Sequence, residues 1–180
     1  MKKSVLLALL IIASVSSVIY AQEKKPKKER RQEQAEKTQA MVDAQNYTFV
    51  TQRALPMSGR SINLTSPYGM DVSKDTIKAY LPYFGRAYTA PMNPSEGGIR
   101  FESKDFEYRL ENAKKGGWNA YISIRDANRS IEMILNITTS GSASLSVNDT
   151  SRQGITFSGY INERKKNSFT GMLNVSANDR

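Results

Sequence analysis

From residue 106 to residue 161 the chain alternates apolar and polar positions with a period of two, and this pattern limits the possible folds more than any other feature. One set reads Phe106/Tyr108/Leu110, Trp118/Ala120/Ile122/Ile124, Ile131/Met133/Leu135/Ile137, Ala143/Leu145/Val147 and Ile155/Phe157/Gly159/Ile161. Successive side chains of a strand point to opposite faces, so these sets line one interior while the intervening Glu, Arg, Asn and Ser meet water. Turn chemistry separates the runs: Lys115-Gly116-Gly117, Asp126-Ala127-Asn128, Ser140-Gly141 and residues 148–154. Short strands at intervals of roughly 8–12 residues predict an antiparallel meander.

Upstream the same alternation marks residues 46–55 (stopped by Pro56), 61–65, 70–72 and 99–103, with Ser66-Pro67-Tyr68-Gly69 as a turn. Residues 99–103 and 106–110 are separated by Lys104-Asp105, and residues 75–81 read as one helical turn capped by Asp75 and stopped by Pro82. The expected fold is all-β, about eight strands in an antiparallel meander, closed into a lipocalin-like barrel or packed as a sandwich, since either hides its edges.

The first residues differ in kind. Met1-Lys2-Lys3 precedes an apolar run over 5–18 that is too short for a comfortable membrane span, and Ala21 precedes Gln22 where a signal peptidase needs a small residue. Residues 1–21 are therefore expected to be a cleaved signal peptide, 22–45 a charged linker or helix, and 46–180 a single β domain. With no membrane span after cleavage, the expected location is the periplasm or the exterior. Residues 23–39 carry hardly an apolar side chain, and Glu29, Glu33 and Glu36 are spaced among Lys and Arg in a way that supports a helix. They are read as a charged spacer; attraction to an anionic envelope surface is the sharper alternative.

Composition excludes whole classes of chemistry. With neither cysteine nor histidine, disulfides, thiolate or imidazole metal sites, Ser-His and Cys-His nucleophiles and a lipid-anchoring cysteine are ruled out. No cofactor or metal is implied. The net charge of +9 suggests nucleic acid until it is located. Lys2 and Lys3 fall in the leader, residues 23–37 hold seven basic and four acidic groups, and residues 41–180 hold seventeen and thirteen. The folded part lacks a basic stripe, so nucleic-acid binding is not expected. Gly97-Gly98 and Gly116-Gly117 are isolated pairs outside any strand–loop–helix phosphate motif. The carboxylates Asp71, Asp75, Glu102, Asp105 and Glu107 are read as solvated surface charges rather than a glycosidase pair or a calcium loop.

The candidate site residues are Tyr83, Phe84, Arg86, Tyr88 and Trp118. The first four lie in residues 81–91, where rings, one guanidinium and Gly85 crowd between Pro82 and Pro91. Arg86 beside aromatic faces suits an anion or sugar-acid contact. The plainer reading is a structural lid, with Arg86 exposed or paired to Glu96 or Glu102. Trp118, after a Gly-Gly turn, reads as a core anchor or a ligand platform.

These residues carry a resemblance. Leu81-Pro82-Tyr83-Phe84-Gly85-Arg86-Ala87-Tyr88, Gly98-Ile99-Arg100-Phe101, Lys115-Gly116-Gly117-Trp118, Ser140-Gly141 with Ala143 and Leu145, and Arg152-Gln153-Gly154-Ile155 with Gly159 resemble the exported Bacteroidetes proteins of the domain of unknown function 4251 family, over roughly residues 46–161. The resemblance implies a small secreted all-β domain of lipocalin-like or related architecture in a Gram-negative envelope. It supplies no catalytic residue. In that lineage Asp75-Thr76-Ile77 would match a short O-glycosylation sequence.

Three functions stay open: a non-enzymatic domain binding a small amphipathic ligand or an envelope component, a hydrolase or lyase acting on envelope polysaccharide, or a structural or inhibitory interaction module.

Overall fold

The computed structural model describes residues 26–88, 97–126 and 129–164; the leader, Pro91, Glu96 and the turn at Ala127-Asn128 lie outside them. The chain divides into two compact units, Met1–Gln32 and Glu33–Arg180. Of the first, residues 26–32 are described and open helix α1 (Lys27–Asp43). Pro26 accepts a hydrogen bond from the Arg30 amide at 3.2 Å, suiting a residue that favours the start of a helix. In the second unit the rest of α1 buries Thr38 and Val42 and half-buries Ala35 and Met41, a stripe at helical spacing on an otherwise wet helix. Gln45 ends it at φ +48°, with the Asn46 amide donating to Met41 O at 3.1 Å and the Gln45 amide to Val42 O at 3.0 Å. That is a Schellman cap with glutamine in the left-handed position.

Ten strands follow: β1 (Tyr47–Pro56), β2 (Ile62–Asn63), β3 (Gly69–Val72), β4 (Ile77–Leu81), β5 (Ile99–Ser103), β6 (Glu107–Asn112), β7 (Trp118–Asp126), β8 (Arg129–Ile137), β9 (Ser142–Asp149) and β10 (Arg152–Glu163). They form one antiparallel sheet in the order β5-β4-β3-β1-β10-β9-β8-β7-β6, with β2 also on β1. The sheet curls into a half-barrel rather than stacking as two sheets. Two meanders, β3 to β5 and β6 to β10, are joined through β1, whose Tyr47 pairs with Val72 on one side and Glu163 on the other.

The alternating sets meet in register. One interior row runs Leu110, Ala120, Leu135, Leu145, Phe157, Ala54 across six strands, and another runs Ile161, Phe49, Met70, Ala79, Phe101 across five. Between them the ladder shifts at a bulge between Thr51 and Arg53, opposite Gly159. A Cβ on Gly159 would stand 1.9 Å from Val50 O, so the β1 backbone crosses β10 where only glycine leaves room.

Two expectations give way. Residues 77–81 form strand β4, not a helical turn, because Ile77, Ala79 and Leu81 alternate into the core with half-exposed Lys78 and Tyr80 between them. The period of two outweighs the cap at Asp75. Asp71 is not a solvated charge: both faces of β3 are covered, leaving it 5% exposed, and Thr48 Oγ1 donates to its carboxylate. Burial raises the Asp71 carboxyl above its ordinary value, against the pull of that hydrogen bond and of Arg164 and Lys78. Glu102 and Glu107 are exposed, as expected.

β5 and β6 hold the two edges of the sheet. The pairings make β5 antiparallel to β4 and β6 antiparallel to β7, so β5 and β6 run in the same sense at opposite ends of the sheet. Residues 99–112 are thus one bent strand, kinked at residues 104–106, that carries the chain from one sheet edge to the other. Across the interior the Tyr47 and Tyr108 hydroxyls meet at 3.2 Å. Burial raises the pKa of both phenols.

Candidate functional site

Residues 81–88 leave β4 and lie against the start of β10. Ala87 bridges to Arg152, the Tyr88 amide donates to Ser151 O at 2.8 Å, and the Gln153 amide donates to Arg86 O at 3.1 Å. The Tyr83 hydroxyl donates to Arg86 O at 2.8 Å and is 3.1 Å from Gln153 O; its partial burial raises the phenol pKa. Four of the five residues singled out from the sequence therefore share one corner, but unequally. Phe84 packs half-buried on the core, Tyr83 braces the loop, and Arg86 and Tyr88 are exposed. Trp118 is elsewhere, buried at the start of β7 in the row of Ile137 and Ala143, roughly 20 Å along the strands from Arg152 at ~3.3 Å per residue.

The most enclosed guanidinium of this corner, that of Arg152, is one the sequence did not single out. Arg152 Nε lies 3.4 Å from Asp149 Oδ2, its Nη1 donates to Gly98 O at 3.2 Å, and its guanidinium stands 4.9 Å from the Tyr83 ring centroid. The other Asp149 oxygen accepts from the Ser151 amide and hydroxyl at 2.9 and 2.8 Å. One arginine thus ties the loop before β5, the β9–β10 turn and the aromatic stretch together. The available signal was Asp149 three residues before Arg152 in a turn. A polysaccharide-cleaving reading needs a buried carboxylate facing Arg86 or Tyr88; the buried carboxylate of this corner, Asp149, faces Arg152, and the other described one, Asp71, faces Thr48.

A second feature lies under the kink. A cavity of about 660 Å³ is lined by Phe101, Glu102, Ser103, Lys104 and Asp105 from the bent strand, and by Ile124, Arg125 and Ile131 from the tops of β7 and β8. Its size is that of a small-molecule pocket. Ile124 and Ile131 are core residues and Phe101 is half-buried, giving an apolar floor. Glu102, Lys104, Asp105 and Arg125 are exposed around it, with Glu102 Oε2 paired to Lys78 Nζ at 3.0 Å. None of the five residues chosen from the sequence lines this cavity. Ile124 and Ile131 were legible as interior residues, and Lys104-Asp105 as a two-residue break; the opening comes from the kink, which no periodicity records.

Among the described residues no helix is long and apolar enough to cross a membrane, and no group of three or more His, Cys, Asp or Glu could hold a metal ion. Thr76, in the candidate glycosylation sequence, is 8% exposed in the β3–β4 hairpin, so its hydroxyl is not presented.

Fold and site together define a small all-β domain: a curled antiparallel sheet, a helix packed on it through one sparse stripe, and a charged-rimmed cavity at the sheet's open corner. The chain belongs to the family described as Domain of unknown function (DUF4251), which matches residues 29–161 and so begins within α1. Its fold is that of the crystal structure of a DUF4251 family protein from Bacteroides eggerthii, 17% identical with a TM-score of 0.56, the match covering 77% of this chain and 93% of the other. No curated protein matches the chain.

Proposed function

We propose that this protein is an exported, non-enzymatic binding domain that holds a small amphipathic ligand in the cavity beneath the β5–β6 kink. The observation that carries this reading is the cavity itself: an apolar floor of Phe101, Ile124 and Ile131 under a rim of charged side chains. A curled sheet of this size either fills itself with side chains or keeps space for one small molecule. The cavity favours the second outcome.

Native mass spectrometry of protein purified from its own source tests the reading. Extra mass is expected, and it should be lost in Ile124→Trp, which fills the floor. Bare protein, together with no binding of an apolar dye, would end the proposal. Export is supported by the basic start, the short apolar run and Ala21 before Gln22. The mature chain is expected to begin at Gln22, which intact-mass measurement of the purified protein would check.

A further inference from the structure

The residues lining the cavity alternate in a way that a pocket on one face of a sheet would not allow. Residues 101–105 are consecutive, as are Ile124 and Arg125, and neighbours along a strand point to opposite faces. The cavity therefore abuts strand edges, not only an inner surface. Among the described residues β5 is paired with β4 alone, and residues 124–126 of β7 with β8 alone, because β6 pairs with β7 only through Ser123. The kink diverts the chain from β4 to β7 and leaves a slot between β5 and the end of β7, which run in opposite senses.

We infer that this slot takes a short extended peptide as an added strand, with apolar residues alternating with acidic ones. This rests on the cavity reading above and names its ligand class. Strand edges beside an apolar floor present a row of backbone donors and acceptors that another strand can use. A lipid chain offers none, whereas a peptide in extended form offers donors and acceptors at the spacing of a strand. Its alternate side chains would enter over Phe101, Ile124 and Ile131. The intervening ones would face Lys104 and Arg125. With Glu102 already paired to Lys78, Lys104 and Arg125 against Asp105 leave the rim one positive charge in excess, which acidic side chains complement.

The test is isothermal titration of the full mature chain with the capped peptide Ile-Glu-Val-Glu-Ile, the same peptide methylated on alternate backbone nitrogens, and a fatty acid. The unmodified peptide is expected to bind, and methylation to weaken it roughly tenfold, the value of one or two net hydrogen bonds. Arg125→Glu, at an exposed position, should weaken it further without unfolding the protein. Hydrogen exchange should slow on binding at the amides of residues 101–103 that point away from β4 and of residues 124–126 that point away from β8. No peptide binding, equal affinity of the methylated peptide, or unchanged affinity in Ile124→Trp would overturn the inference, as would slow exchange in the free protein at those amides of 101–103 that point away from β4. Fatty-acid binding without amide protection would overturn strand capture while leaving the binding function intact.

Discussion

Arg152 reaches Asp149, Gly98 and Tyr83 from a position where its side chain is 12% exposed, while Arg86, on the same corner, points to water and contributes through its backbone. Arg152→Met removes one cation from Asp149 together with the contacts to Gly98 and Tyr83, and should cost about 1.5–3 kcal/mol, the worth of hydrogen bonds to charged groups, in a denaturant titration. Arg86→Ala should stay within about 0.5 kcal/mol, as exposed substitutions do. Equal effects would show that the corner had been misread. Gly159 is constrained by packing rather than charge: with Val50 O 1.9 Å from any added Cβ, Gly159→Ala must push β1 away from β10. A loss of about 2 kcal/mol or more is expected from that overpacking, read as a lowered denaturation midpoint. Asp71 gives a pH signature. Its folded-state pKa is raised above 3.8, so the fold favours the neutral form. That contribution is fully present below pH 3.8 and is lost as pH rises through the folded value. Asp71→Asn keeps an acceptor for Thr48 and carries no charge. It should melt above the unsubstituted protein at pH 7, with the difference vanishing in thermal scans below pH 3.8.

At the scale of elements, α1 is held by few contacts. Val42 is 1% exposed and Thr38 is fully buried, the latter donating to Gln34 O at 2.8 Å, while most of the helix surface is charged and wet. Val42→Ala should cost about 1–3 kcal/mol, whereas Lys28→Ala on the exposed surface should change little; circular dichroism melts would separate them. So sparse a stripe is why the sequence leaves residues 22–45 between linker and helix, although Thr38 and Val42 lie four apart. The strands were more legible. Every apolar set from Phe106 to Ile161 faces the interior, because alternation states which side a residue takes. It does not state which strand is the neighbour. Two runs separated by Lys104-Asp105 look like a hairpin to periodicity alone, yet they hold opposite edges of the sheet. The absence of glycine or asparagine there, which a tight two-residue hairpin requires, was the physical hint. The cavity is a consequence of that kink. The aromatic stretch was conspicuous for its rings, but it packs as a brace because Arg152, far away in sequence, reaches it.

For the molecule as a whole, alternation and the missing cysteine and histidine fixed the class of fold and the excluded chemistries, while long-range pairing settled the rest. The pairing of Tyr47 with Glu163 has a consequence in time. The first strand can find its central neighbour only after the last one has been made. At about 5–20 residues per second, β1 waits on the order of ten seconds for β10 to emerge from the ribosome. Sheets with such distant pairings also fold slowly, in roughly milliseconds to seconds. Refolding from denaturant should fall in that range by stopped-flow fluorescence of Trp118, and a chain ending before Arg152 should show no cooperative melt. A chain that stays unfolded through its own synthesis can still be threaded end-first through a narrow translocation channel. Under the export proposed above, the delay built into this sheet would keep the chain fit for that passage.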